Sequence, residues 1–159
     1  MTRTRPPEDR FWPKVDKSGE CWEWTARKIK GGYGRFTLAT NLQVLAHRFA
    51  FETAHGPIEP GMTIDHMCHN TGCVKPDHLR MVTNKQNCEN KTGPMRNNTS
   101  GFLGVTWDSS SKRWRAQVRH NKKLYNAGSH LTKESAATAA TALRLQLFTH
   151  NEIDRRTNV

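Results

Sequence analysis

Long apolar runs are missing from this chain. No stretch of about 18 or more apolar residues occurs, so no membrane span is expected. Apolar side chains are scarce altogether: hydrophobic residues make up 35% and aromatic residues 8%, and the mean hydropathy is -0.82. Spread over 159 residues, that supply gives small modules thin cores, and small modules often need a staple such as a metal. Cysteine is sparse too, at four residues. The stretch Met1-Thr2-Arg3-Thr4-Arg5-Pro6-Pro7 lacks the apolar core of a signal peptide, which predicts a cytoplasmic, non-secreted protein. In a reducing compartment four cysteines point to a metal site rather than disulfides.

Acidic residues are outnumbered, 14 against 25 Lys and Arg, giving a net charge of +11. The excess is shared: residues 1–97 hold 15 basic and 10 acidic side chains, and residues 98–159 hold 10 and 4. A basic tail on a neutral body would not look like this. The balance favours a polyanionic partner, with nucleic acid the first candidate; no membrane and no small-molecule substrate are expected.

Polar, proline-bearing residues 1–10 read as a flexible arm. Cys21–Thr25 alternates as a half-buried strand does, Lys30–Gly34 reads as a turn, and Arg35–Leu38 as the second strand of a hairpin. Leu45–Glu52 has helical spacing, stopped by His55-Gly56-Pro57. Thr63–His66 reads as a strand, 67–77 as a loop, Leu79–Thr83 as a returning strand and Asn84 to about Lys91 as a helix. Breaker-rich residues 92–100 form the predicted linker. Beyond it, Phe102–Trp107, Arg113–Val118 and Lys123–Gly128 read as three strands. A helix opening at Thr132 or Ser135 and running through Leu147 follows, and residues from Asn151 read as a frayed tail.

Cys68-x4-Cys73-x4-His78 puts three metal-ligating side chains within eleven residues of a polar loop, and Cys21 can supply a fourth. Zinc closes such a set tetrahedrally and would tie the loop to the upstream segment. Cys88 is left over and reads as a packing thiol. Asp65-His66 ends a strand, and Asn87 follows on the next helix. Phosphodiester hydrolysis needs a base, a hard cation and charge stabilisation. His66 suits the base, since its pKa is near neutral. Asp65 and Asn87 offer oxygen ligands for Mg2+. Strand alternation sends adjacent Asp65 and His66 to opposite faces, which weakens Asp65 in that role.

The run Ile64-Asp65-His66-Met67-Cys68-His69-Asn70-Thr71-Gly72-Cys73-Val74-Lys75-Pro76-Asp77-His78-Leu79, with Asn87, resembles the HNH and His-Cys box endonucleases of the ββα-metal superfamily. The resemblance covers roughly residues 11–91. It implies His66 as general base, Asn87 as ligand of a divalent Mg2+ or Mn2+ ion, and Cys21, Cys68, Cys73 and His78 as a structural zinc site. Arg35, twelve residues before His47-Arg48, resembles the arginine that contacts the scissile phosphate. Asp65 resembles the metal-binding aspartate of the HNH branch. A second zinc site downstream of Cys88, found in His-Cys box enzymes, is lacking.

In Lys112-Arg113-Trp114-Arg115-Ala116-Gln117-Val118-Arg119, alternation puts Arg113, Arg115, Gln117 and Arg119 on one face and Trp114, Ala116 and Val118 on the other. Arg and Gln can read base edges in the major groove, while Lys112, Lys122 and Lys123 at the turns suit phosphates. This part resembles an AP2-type DNA-binding domain, which implies three strands backed by a helix.

The expected fold is α+β: a zinc-stapled nuclease domain over 11–91 and an AP2-like domain over 101–150, followed by a tail at 151–159. The expected function is hydrolysis of duplex DNA by a homing or phage-type endonuclease, monomeric or homodimeric. A non-catalytic zinc-containing DNA-binding regulator and an RNA-directed nuclease are the alternatives.

Overall fold

The computed structural model describes residues 5–91, 93, 94 and 96–156. Residues 1–4 of the expected arm, 92 and 95 of the expected linker and 157–159 of the expected tail lie outside them. The chain divides into two compact units, Met1–Asn84 and Lys85–Val159.

The first unit is built on four aromatic rings. Helix α1 (Pro7–Phe11) begins at Pro7, which fits a first helical turn because that position needs no N–H. It replaces the loose arm predicted there. Arg10 donates to the carbonyls of Thr37 (3.0 Å) and Leu38 (2.7 Å), and Phe11 is fully buried. The Phe11 ring lies 4.8 Å from Trp24, 5.1 Å from Phe36 and 4.7 Å from Phe49, in tilted and edge-to-face contacts.

Strand β1 (Val15–Asp16) pairs antiparallel with β2 (Glu23–Trp24). Strand β3 (Arg35–Ala39) pairs with β4 (Leu42–Leu45). The predicted hairpin between residues 21–25 and 35–38 is therefore not the one that forms. Asn41, at φ 64, turns β3 directly into β4, and asparagine tolerates that left-handed conformation. Gly34 is required where it stands. A Cβ there would sit 2.5 Å from the Trp24 ring and 2.9 Å from Ala46.

Helix α2 (Ala46–His55) buries Ala46, His47, Phe49, Ala50 and Phe51, and Gly56 (φ 88) ends it. Strand β5 (Thr63–His66) pairs with β6 (Leu79–Val82), setting Asp65 opposite Arg80 and His66 opposite Leu79.

Helix α3 (Asn84–Glu89) spans the division between the units and ends short of Lys91. The units part before the predicted linker because residues after Asn87 bond within the second unit. Buried Glu89 accepts from the Thr149 N–H (3.0 Å), and Asn90 accepts from the Glu152 N–H (3.1 Å).

Strands β7 (Val105–Asp108), β8 (Arg113–His120) and β9 (Lys123–His130) form one antiparallel sheet in that order. Helix α4 (Lys133–Leu147) packs on it through Ala136 and Ala140, against Val105 and Ala116. Thr132 caps α4 by accepting from the Ser135 N–H. Instead of a frayed tail, α5 (Glu152–Arg156) follows. Buried Arg144 binds Asp154 at 2.6 Å and the Leu103 carbonyl at 2.8 Å. Among the described residues no helix is long and apolar enough to cross a membrane.

Candidate metal centre and active site

The loop between β5 and β6 folds back on β2. The Val74 N–H donates to the Trp22 carbonyl at 2.8 Å and the Trp24 N–H to the Gly72 carbonyl at 2.9 Å, so Glu23 bridges to Cys73. Asn70 donates its side-chain amide to Glu23 and accepts from the Gly72 N–H. This pairing brings Cys21 to Cys68, Cys73 and His78, a residue of the 3-10 turn Pro76–His78.

The four ligand atoms all lie within 4.8 Å of one another. Cys21 Sγ and Cys73 Sγ are each 3.6 Å from His78 Nδ1. Zinc with Zn–S of about 2.3 Å and Zn–N of about 2.05 Å makes tetrahedral S–N edges of about 3.6 Å, so this cluster fits the ion. The thiols perturb one another. Burial, then the charge of Cys73, pushes Cys21 up. A hydrogen bond with Cys68 pushes Cys73 up and pulls Cys68 down. Three sulfurs this close need a cation to be thiolates together.

His66, at the end of β5, is buried beside this cluster. Its Nε2–H donates to the Cys73 carbonyl at 3.0 Å. That bond selects the tautomer in which Nδ1 carries the lone pair. Cys73 thus offers its sulfur to the cluster and its carbonyl to the imidazole. Burial holds His66 below the usual histidine range, opposed by the Cys73 bond and by Asp65. A neutral imidazole at neutral pH follows.

Two residues beside His66 escaped the sequence reading. The His47 ring lies 4.7 Å from the His66 ring, and the Tyr33 ring lies 5.5 Å from His47 and 6.0 Å from His66. His47 is buried, and its Nδ1 has no hydrogen-bond partner among the described residues. Burial, then His66, then Arg48, lowers its pKa to about 3. The unfolded chain then binds a proton that the folded chain refuses between pH 6.5 and 3. Stability from this group is complete above 6.5 and falls as the pH drops towards 3. Between pH 6.5 and 5 this amounts to about 2 kcal/mol. A His47→Phe variant should lack that part of the acid loss, as urea melts of zinc-loaded protein at both pH values would read.

Asp65 is buried with its carboxylate on Arg80, at 3.0 Å from Nε and 2.9 Å from Nη2. Any cation on Asp65 would share it with that guanidinium. Arg35 is exposed at the start of β3. Phe36 and the Cβ direction of Gly34 face the core, so alternation sends Arg35 to the side of Tyr33. Asn87 lies on α3, in the second unit. Cys88, expected to pack, is exposed instead.

In the second unit Ala116 and Val118 are buried, while Arg113 and Arg119 are exposed and Arg115 and Gln117 partly so. Trp107 is half exposed and packs its ring 5.0 Å from Trp114. Lys112 and Lys122 occupy turns at φ 51 and φ 65, and Lys123 opens β9.

Over 70 residues the chain is 37% identical to Protein 7.7 of Escherichia phage T7, a match covering 44% of this chain and 53% of that protein. Over 80 residues it is 36% identical to Protein 3.8 of the same phage, covering 50% and 65%. An uncharacterized gene 5.3 protein of Enterobacteria phage T3 is 31% identical over 61 residues, covering 35% and 60%. The chain therefore spans between half and two thirds of the length of these relatives. No solved structure matches it. Residues 44–88, which carry His47, Asp65, His66, Asn87 and three of the four clustered ligands, match the HNH endonuclease family.

Proposed function

We propose that the protein is a metal-dependent endonuclease of phage type that hydrolyses phosphodiester bonds in duplex DNA. One observation carries this reading: within the HNH-matching segment, a buried neutral imidazole is oriented by the backbone of a clustered cysteine. His66 Nδ1 takes a proton from the water that attacks phosphorus, and Arg35 meets the charge on the phosphate oxygens. Asn87, with Asp65, offers hard oxygen ligands to Mg2+ or Mn2+. Such an ion, when bound, neutralises charge building on the phosphate and the leaving oxygen. Zinc on Cys21, Cys68, Cys73 and His78 is structural, because a set of four protein ligands leaves no open position. The nuclease domain is assigned to residues 11–91.

The sheet of the second unit is proposed to engage the major groove as an AP2-type module over residues 101–150. Arg113, Arg115, Gln117 and Arg119 face base edges, while Lys112, Lys122 and Lys123 meet phosphates. Backbone strain supports the lysine assignment. Asn121 and Lys122 both adopt positive φ, as a tight two-residue hairpin requires. Glycine would fill the second place at less cost, so what the lysine adds there is its charge. Lys122→Gly should leave thermal stability equal or higher. It should still weaken duplex binding and lower the slope of log K against log salt by about 1.

The activity itself is tested on supercoiled plasmid. The zinc-loaded protein should convert it to open circles with Mg2+ or Mn2+ and leave it intact in a chelator of those ions. No conversion over a panel of duplexes and metals would overturn the nuclease reading.

A further inference from the structure

Strands β7, β8 and β9 carry a single acidic residue, Asp108. Register puts it opposite Arg113, with Arg115 the diagonal neighbour on the same face of the sheet. That is the face proposed above to meet DNA. A carboxylate there repels phosphates, so electrostatics alone argues against it. Yet its two oxygens are fully engaged. Oδ1 accepts from the Ser110 N–H at 3.0 Å, and Oδ2 accepts from the Ser111 hydroxyl at 2.8 Å and from Arg115 Nη2.

Arg115 keeps 43% of its side chain exposed, and among the described residues Asp108 is its one ion-pair partner. The pair engages Nη2 alone; a guanidinium has two donor edges, Nε with Nη2 and Nη1 with Nη2, so the second Nη2 hydrogen still completes one of them. Arg113 and Arg119, on the same strand, have no such partner among the described residues. An untethered arginine swings between base edges and phosphates, whereas a tethered one offers its donors along a fixed direction. The base edge matching a pair of arginine donors is that of guanine, with acceptors O6 and N7 side by side in the major groove.

We propose that Asp108 is a specificity-determining residue: it holds Arg115 so that the remaining edge of the guanidinium reads one guanine in the bound duplex. The inference rests on the reading that this sheet binds DNA. Arg115 holds Asp108 ionised by lowering its pKa to about 2, so the tether persists at any pH at which the protein would be assayed. Asp108 sacrifices attraction to the backbone for discrimination among bases, and the two effects move in opposite directions when it is removed.

The test is selection from a randomised duplex library with the full-length protein in buffer free of Mg2+ and Mn2+, followed by binding titrations on the selected duplex and on random duplex. Asp108→Asn keeps an acceptor for Ser110 and Ser111 and removes the charge. Wild type should enrich guanine at one or more positions. Asp108→Asn and Arg115→Lys should both lose the same guanine, with discrimination there falling about tenfold. Asp108→Asn should bind random duplex as tightly as wild type or more tightly. An Asp108→Asn protein that keeps every wild-type preference, or that loses affinity equally on all sequences, would overturn the inference while leaving the sheet as a DNA surface. Failure of the wild type to bind any duplex would overturn the DNA reading and this inference with it.

Discussion

Replacing His66 with alanine should lower the cleavage rate of a bound duplex by roughly 10²–10⁴-fold, the usual contribution of a positioned general base. Affinity for the duplex should hardly move. His66 is buried and its pKa is lowered by burial, so at neutral pH it contributes no charge to DNA binding. Single-turnover cleavage and anisotropy titrations in metal-free buffer separate the two quantities. The same pKa direction sets the acid limb. A base must be unprotonated, and burial lowers the His66 pKa, so the acid limb of the rate should lie below that of an ordinary histidine. His66→Gln should behave as His66→Ala does, since an amide can occupy the space and bond to Cys73 but cannot accept the proton.

Zinc removal should unfold the first unit and spare the second. The unit's apolar core is small, centred on Phe11, Trp24, Phe36 and Phe49. Its ligand loop carries mostly polar side chains and touches β2 through few backbone bonds. Structural zinc contributes on the order of 10 kcal/mol to folding in small modules, comparable to the whole stability of a domain. Three of the five tryptophans, Trp12, Trp22 and Trp24, lie in the first unit, and Trp24 is almost fully buried. Chelation should therefore red-shift the tryptophan emission and abolish the first unit's melting transition. The helical circular dichroism of α4 should remain, because none of the four clustered ligands lies in the second unit. Cys73→Ser should be the most damaging ligand substitution, because Cys73 is fully buried while Cys21 and Cys68 are partly exposed. A zinc-free protein with an unchanged melting curve would remove the staple from the account.

The chemistry of the metal cluster was legible in the sequence because its ligands are rare residue types at short, regular spacing. Helix α2 and strand β8 were legible because their burial is periodic, with Phe49 and Ala50 turned inward on α2 and Ala116 and Val118 on β8. What escaped depends on contacts distant in sequence. Strands β1 and β2 are two residues long each, too short to show alternation, and they exist because the ligand loop pairs beside them. The turn at Asn41 lacks the glycine that would announce it. Helix α5 has one apolar residue in five, too few to show a period. The Arg144–Asp154 ion pair and Asn151 order it, and no local rule signals them. His47 reads as filler on an apolar helix face until β5 brings His66 against it. Its signal in the sequence was faint: an ionisable ring placed among Ala46, Phe49 and Ala50.

The most direct measurement is the single-turnover rate of cleavage of one labelled duplex by wild-type and His66→Ala proteins of equal zinc content, at pH 7.5 with Mn2+ in excess. The account predicts strand scission by the wild type and a rate at least about 100-fold lower for the variant, with both bound to the duplex. Equal rates would contradict it, since the imidazole that the Cys73 carbonyl holds would then take no part in the reaction.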